Sequence, residues 1–287
     1  WPALVSAGKV LAAAMLCAFA SGAQETDAMK LPAQLAGAFA ITALCTRDVS
    51  SMIGLARETV TKISNFTVLL LPVLSSSLAA SGGSVSAGTL LAGGSFAMSL
   101  LTKLASGVLI PLVYVYILLS AAECATDGGG LGKIRALGGR AISLLIKGLC
   151  AVFTAYLSLS RVLTGSADAF ALKAAQAAFS GMVPVVGSML SDASESLLAS
   201  AGLIRSAAGA FGILAVISMA IVPFLRLGAF YLALKLAGAI GDGAVMKPHA
   251  ALLSNLASAM GYMLAIAASA LWMSLVSAAC FLKAVNG

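Results

Sequence analysis

Few residues in this chain could do chemistry, and most of them are ionisable groups set singly inside apolar runs. Lys147, Arg226 and Lys235 each interrupt a long hydrophobic stretch, and Lys103 stands between two. An ionisable side chain at bilayer depth is costly. It marks a cavity, a partner, or a long stem reaching back to the interface. Asp192 and Glu195 lie one helical turn apart, just after a proline-marked apolar stretch. There they either cap the helix that follows, where a carboxylate meets the positive end of the dipole, or pair with a cation such as Arg226. Ser75, Ser76, Ser77, Gly82 and Gly83 crowd one proline-marked stretch and Ser188 sits in another. Residues of these types at interrupted membrane helices are candidates for a polar path or a partner contact.

No catalytic constellation accompanies them. Gly128-Gly129-Gly130-Leu131-Gly132-Lys133 is rich in glycine but lacks the spacing of a phosphate-binding loop. The single histidine, His249, stands beside Pro248 in a short polar stretch and reads as a bystander. Cys17, Cys45, Cys124, Cys150 and Cys280 are odd in number and dispersed, which gives no disulfide framework and no zinc site. The chain therefore reads as a non-enzyme with no catalytic residue, no metal and no cofactor.

The elements that must position these residues follow from composition. Hydrophobic residues make up 61% of the 287 and charged residues 9%, with a mean hydropathy of +1.05. A soluble domain carries about 25% charged residues. A water-soluble enzyme, a disordered chain and a disulfide scaffold are excluded, and the fold class is an all-α polytopic membrane protein. The net charge of +7, from 17 Lys and Arg against 10 Asp and Glu, does not point to nucleic acid. The basic residues come one or two at a time between apolar runs, as membrane topology requires. The sequence starts at Trp1, and an upstream segment is expected.

Crossing the hydrocarbon takes about 20 mostly apolar residues. Ala3–Ala23, Leu31–Cys45, Thr89–Ala122, Ala141–Leu159, Ala207–Leu236 and Ala251–Leu282 qualify or nearly do. They predict roughly five to seven crossings. Their Ala, Gly and Ser content suits helices that associate by close backbone approach. Arg47–Ile63 places Val49, Met52, Ile53, Ala56, Val60 and Ile63 on one helical face, with Arg57, Glu58 and Lys62 on the other. Arg161–Ser180 similarly sets Leu163, Ala167, Phe170 and Ala174 on one side, with Asp168 and Lys173 off it. Both predict helices in the interface or against the bundle. Glu123–Arg140 reads as a segment built around a flexible loop, Asp127-Gly128-Gly129-Gly130. Lys133, Arg135 and Arg140 place it in the cytoplasm.

Pro72 and Pro184 are separated by the same number of residues as Pro111 and Pro223. This predicts an internal duplication: an N-terminal apolar segment over 1–30, one membrane repeat over 31–140, and a second over 141–287 with a final span. Each half would carry a proline-broken hairpin, with Ser76 and Ser188 facing each other across the repeat interface. Alternatively, the prolines are ordinary first-turn residues and the serines helix caps.

The second of these stretches, Met182-Val183-Pro184-Val185-Val186-Gly187-Ser188-Met189-Leu190-Ser191-Asp192-Ala193-Ser194-Glu195-Ser196, resembles a signature of the stage III sporulation protein AE family. Arg47-Asp48-Val49-Ser50-Ser51-Met52, Leu69-Leu70-Leu71-Pro72 with Ala79–Ala87, and Tyr231-Leu232-Ala233-Leu234-Lys235-Leu236-Ala237 are similar to other stretches of that family. The resemblance implies a multi-pass protein made in the mother cell of endospore-forming bacteria. It would sit in the mother-cell membrane around the forespore. Its implied partners are the other stage III A proteins and forespore protein Q, in a channel-like complex needed for late forespore gene expression. The residues alone leave a rival, an autonomous secondary transporter with paired re-entrant hairpins.

Asp192→Asn keeps a capping side chain and removes the charge, so it separates capping from function. The expected outcome is impaired sporulation while the protein still accumulates in the membrane. Normal sporulation of the Asp192→Asn, Glu195→Gln double variant would reduce both carboxylates to helix punctuation.

Overall fold

In lipid, backbone polar groups must be satisfied within the segment that carries them, and a helix does this locally. The computed structural model describes residues 8, 12, 27–125, 129–182, 187–243 and 247–283, with side chains given mainly over 45–125, 130–160, 202–240 and 249–282. Among the described residues the order is α1 Asp27–Ala80, α2 Ser84–Leu104, a π turn Ala105–Leu109, α3 Ile110–Ala125, α4 Gly129–Met182, α5 Gly187–Gly243 and α6 Lys247–Lys283. The expectation of an all-helical membrane protein holds.

Three helices are far longer than a membrane is thick. α1 and α4 have 54 residues and α5 has 57. At about 1.5 Å per residue each contour is about 80 Å, against a hydrocarbon core of about 30 Å. Five stretches are long and apolar enough to cross: Cys45–Ala80, Ser84–Ala125, Gly130–Ser160, Gly202–Ile240 and His249–Leu282. Leu31–Cys45 is helical but is not one of the five, and most of Ala3–Ala23 lies outside the described residues.

The first predicted hairpin is corrected. Pro72 does not break the chain, because α1 runs unbroken from Asp27 to Ala80. Arg47–Ile63 and Phe66–Ala80 are therefore parts of one span rather than an interfacial helix and a hairpin. A membrane helix tolerates an interior proline when neighbouring groups take up the freed carbonyl. Pro111 is accommodated differently. It follows the π turn, in which the Ile110 N–H bonds the Ala105 carbonyl five residues back. The wider turn eases the clash between a proline ring and the carbonyl four residues before it. Pro223 lies inside α5, and Pro184 lies outside the described residues.

Burial follows the helical period in α1. Val49, Ile53, Ala56, Val60 and Ile63 are buried while Arg57, Glu58 and Lys62 are exposed. In Arg161–Ser180 the pattern is inverted. Leu163, Ala167, Phe170 and Ala174 are exposed, and Thr164 and Asp168 are buried. This stretch lies beyond the candidate span Gly130–Ser160, and its buried side is the one whose polar groups find partners on α2. The most apolar stretch within Gly130–Ser160 is 17% buried and that within His249–Leu282 is 56% buried, so this part of α4 is largely exposed and that of α6 is more than half covered. His249 is buried in the first turn of α6 rather than lying in a loop.

The chain forms two compact units. The first gathers residues 1–60, 103–147 and 221–268. In it, the segment expected as a loop, Glu123–Arg140, instead consists of the end of α3 and the start of α4, with 126–128 outside the described residues. Arg135 Nε donates to Glu123 Oε2 at 2.6 Å and ties the two helices. The second unit gathers residues 61–102, 148–220 and 269–287. Its helices meet at small residues: a Cβ on Gly93 would overlap the Tyr156 ring, and one on Gly212 would overlap Leu70. Tyr156 Oη donates to the Thr89 carbonyl at 2.9 Å, which fixes the ring over that glycine.

Candidate functional site at the α1–α2 reversal

The chain reverses within Ser81-Gly82-Gly83, and the reversal is built from backbone hydrogen bonds. Gly83 N–H donates to the Leu78 carbonyl and Gly82 N–H to the Ala79 carbonyl, each at 3.1 Å. This six-to-one and five-to-two pair requires a left-handed residue after the helix, and Gly82 has φ 93°. Gly83 sits against buried Leu78, where an added Cβ would lie 2.8 Å from Leu78 Cδ1. Serines secure the end of α1. Ser81 Oγ donates to the Ser77 carbonyl at 2.8 Å, and Ser77 Oγ to that of Leu74 at 3.0 Å. Ser75 Oγ reaches across the turn to the Ala87 carbonyl of α2 at 3.1 Å.

A helix that begins at such a turn leaves its first N–H groups without intrahelical acceptors. Here the acceptor comes from another helix. Val85 N–H donates to Asp168 Oδ1 at 2.9 Å and Ser86 N–H to Asp168 Oδ2 at 3.0 Å. Both oxygens of a buried α4 carboxylate thus face the positive end of α2, where charge and dipole reinforce each other. Ser86 Oγ donates to Thr164 Oγ1 at 2.8 Å, and Thr164 Oγ1 to the Ser160 carbonyl at 2.7 Å. Ser160, Thr164 and Asp168 recur every four residues and form a polar stripe on α4. A polar seam continues elsewhere in the same unit: Ser64 Oγ bonds the Met98 carbonyl at 3.3 Å, and the hydroxyls of Thr67 and Ser274 meet at 2.7 Å.

Of the residues singled out from sequence, the structure brings Ser75, Ser77, Gly82 and Gly83 together at this reversal. Ser76 is exposed and bonds the Val73 carbonyl of its own helix at 3.0 Å. Arg226 and Lys235 belong to the other unit, and both are exposed on α5. Lys235 Nζ donates to Ser254 Oγ of α6 at 3.2 Å. Lys103 and Lys147 are exposed. The side chains of Ser188, Asp192 and Glu195 lie outside the described residues, and with them any pairing to Arg226. Sequence reasoning missed Asp168. The apolar periodicity sets it only off the apolar side of the helix, although the four-residue spacing of Ser160, Thr164 and Asp168 marks a second face.

In this arrangement the hydroxyls and the carboxylate are spent on protein groups, so the reversal acts as a fastening of α1, α2 and α4. Asp168→Ala would leave two N–H groups without their acceptor, at about 1–3 kcal/mol each. Asp168→Asn keeps one acceptor oxygen and loses the charge, so one of the two N–H groups loses its partner, at about 1–3 kcal/mol. Thermal unfolding of the detergent-solubilised protein should rank the parent above Asp168→Asn and that above Asp168→Ala. Equal midpoints for all three would mean the cap does not hold the reversal.

A family model described as Stage III sporulation protein AE matches residues 7–284. Stage III sporulation protein AE of Bacillus subtilis (strain 168) is 27% identical over 191 residues, which cover 66% of this chain and 47% of that relative. The chain therefore spans about half the length of the curated relative it matches. No solved structure matches it. With the family model running over nearly the whole of a helical chain that has five candidate spans, this protein belongs to the stage III sporulation protein AE family.

Proposed function

We propose that the protein is an integral membrane subunit of the sporulation stage III A complex. It would lie in the mother-cell membrane around the forespore and support late forespore gene expression. The observation that carries this reading is the family match over residues 7–284, which takes in all five candidate spans. In this reading the protein carries no chemistry of its own. It supplies fixed helices against which the other stage III A proteins and forespore protein Q assemble. Exposed Leu144, Val152, Leu159, Leu214 and Leu225 on α4 and α5 are available to lipid or to such neighbours. The two-fold organisation over 31–140 and 141–287 belongs to the same proposal, as does a partner-facing role for Asp192 and Glu195.

The rival reading, an autonomous transporter, leaned on short interrupted segments at matching places in two halves. The unbroken course of α1 through Pro72 removes the first of those segments. Affinity purification from membranes of sporulating cells discriminates the two. The tagged chain should carry the other stage III A proteins and protein Q with it, and the chain reconstituted alone in liposomes should move no solute. Solute uptake by the chain alone, with no partner retained on purification, would overturn the proposal.

A further inference from the structure

An open cleft of about 470 Å³ in the first unit lies between α3, the start of α4 and α6. Its floor is aromatic. Tyr116 and Tyr262 stack edge to face, with ring centroids 5.4 Å apart and planes at 86°. Gly139 of α4 lets Tyr262 come this close, since a Cβ there would lie 2.5 Å from its hydroxyl. The walls are basic: Arg135, Arg140 and Lys147 all line the space.

The three cations are not equivalent. Arg135 is already committed. Its Nε pairs with Glu123, its Nη1 donates to the Tyr116 hydroxyl at 2.9 Å, and its guanidinium lies 5.5 Å from the Tyr116 ring centre. Arg140 and Lys147 are exposed, and among the described residues neither has a carboxylate partner. They are seven residues apart on one face of α4, about 10 Å along the axis, with Ser143 between them. With Glu123 cancelling Arg135, the cleft keeps two uncompensated positive charges.

The surroundings name the source of the counter-charge. The Gly130–Ser160 span has 31 residues, about 46 Å at 1.5 Å per residue, and so outruns a hydrocarbon core of about 30 Å. Its first ten residues or so can therefore reach the headgroup layer. Lys147 starts deeper. Side chains on a helix slant toward its N-terminus, so the stem of Lys147 runs back toward Arg140. Leu144 lines the cleft and is 72% exposed, giving it an apolar rim that a soluble anion does not need. The geometry points to a binding site for the phosphate of an anionic phospholipid headgroup, held between Arg140 and Lys147 with the acyl chains along the Leu144 side.

The test uses the full chain purified in a neutral detergent and titrated with fluorescent phosphatidylglycerol or phosphatidylcholine. The parent should bind phosphatidylglycerol in preference to phosphatidylcholine. The Arg140→Gln, Lys147→Gln variant should bind it about 30-fold more weakly, since each basic residue near an anionic surface contributes about fivefold. Arg140→Lys, Lys147→Arg should bind like the parent, which separates lost charge from lost fold. Lys103→Gln, Arg226→Gln, which removes two exposed cations elsewhere, should also leave binding unchanged. Equal binding of both lipids by the parent, or undiminished phosphatidylglycerol binding by the double Gln variant, overturns the proposal. So does a cleft that takes inorganic phosphate or an acidic peptide while phosphatidylglycerol fails to bind.

Discussion

Two backbone N–H groups at the start of α2 and the two oxygens of Asp168 on α4 form the interaction on which the described packing of the second unit turns. Helices in lipid gain nothing from hiding apolar surface from each other, because the tails outside are as apolar as the leucines inside. Position must then come from polar bonds and close backbone approach. An interhelical hydroxyl bond in a membrane averages only about 0.6 kcal/mol. A hydrogen bond to a charged group is worth about 1.5–3 kcal/mol. The Asp168 pair therefore outweighs any single one of the Ser64, Thr67 or Ser75 contacts that accompany it. It fixes α2 in register with α4, and the Tyr156–Thr89 bond and the glycine contact at Gly93 extend that register along the same two helices.

The capped reversal also decides what kind of membrane element Phe66–Ala80 is. A re-entrant hairpin would have a short, interrupted arm. Instead, α1 reaches Ala80 as the end of the 36-residue candidate span Cys45–Ala80, and α2 opens the 42-residue span Ser84–Ala125. The second of these holds the described residues' departure from α-helical geometry, the π turn before Pro111. Such turns are frequent at functional positions, since they shift the face that following residues present. Downstream of this one, α3 presents Tyr116 and Glu123 to Arg135 of α4. Irregular backbone and the basic–aromatic cleft are thus linked along residues 105–125, the part of that span that belongs to the first unit.

The sequence made the fold class legible because composition and length alone force helices on a chain this apolar. The inward face of α1 was equally legible, since Val49, Ile53, Ala56, Val60 and Ile63 keep the 3.6-residue period. The same logic misled at 161–180. It assumed that apolar means inside, whereas Phe170 faces out at 77% exposure and Asp168 is buried. Burial there follows which polar groups have partners, and a hydropathy pattern does not show that. Pro72 misled for a related reason: proline reads as a break, yet a membrane helix can carry one. Within the candidate site, Ser75, Ser77, Gly82 and Gly83 were found by type and by their place in a proline-marked stretch. Their acceptors were not, because Ala87 and Asp168 are brought to them only by the fold. The Glu123–Arg135 pair was hidden in the same way, since its two residues come from the end of α3 and the start of α4.

The most direct measurement is a disulfide cross-link in native membranes between Ser86→Cys and Thr164→Cys, in a chain whose five cysteines have been replaced. The two hydroxyls are 2.8 Å apart, immediately beside the Asp168 cap. Mild oxidation should convert nearly all of the protein to the intramolecularly cross-linked form. Ser86→Cys paired with Phe170→Cys, on the outward side of α4, should not cross-link. Failure of the first pair together with cross-linking of the second would put the other face of α4 against α2 and contradict the account.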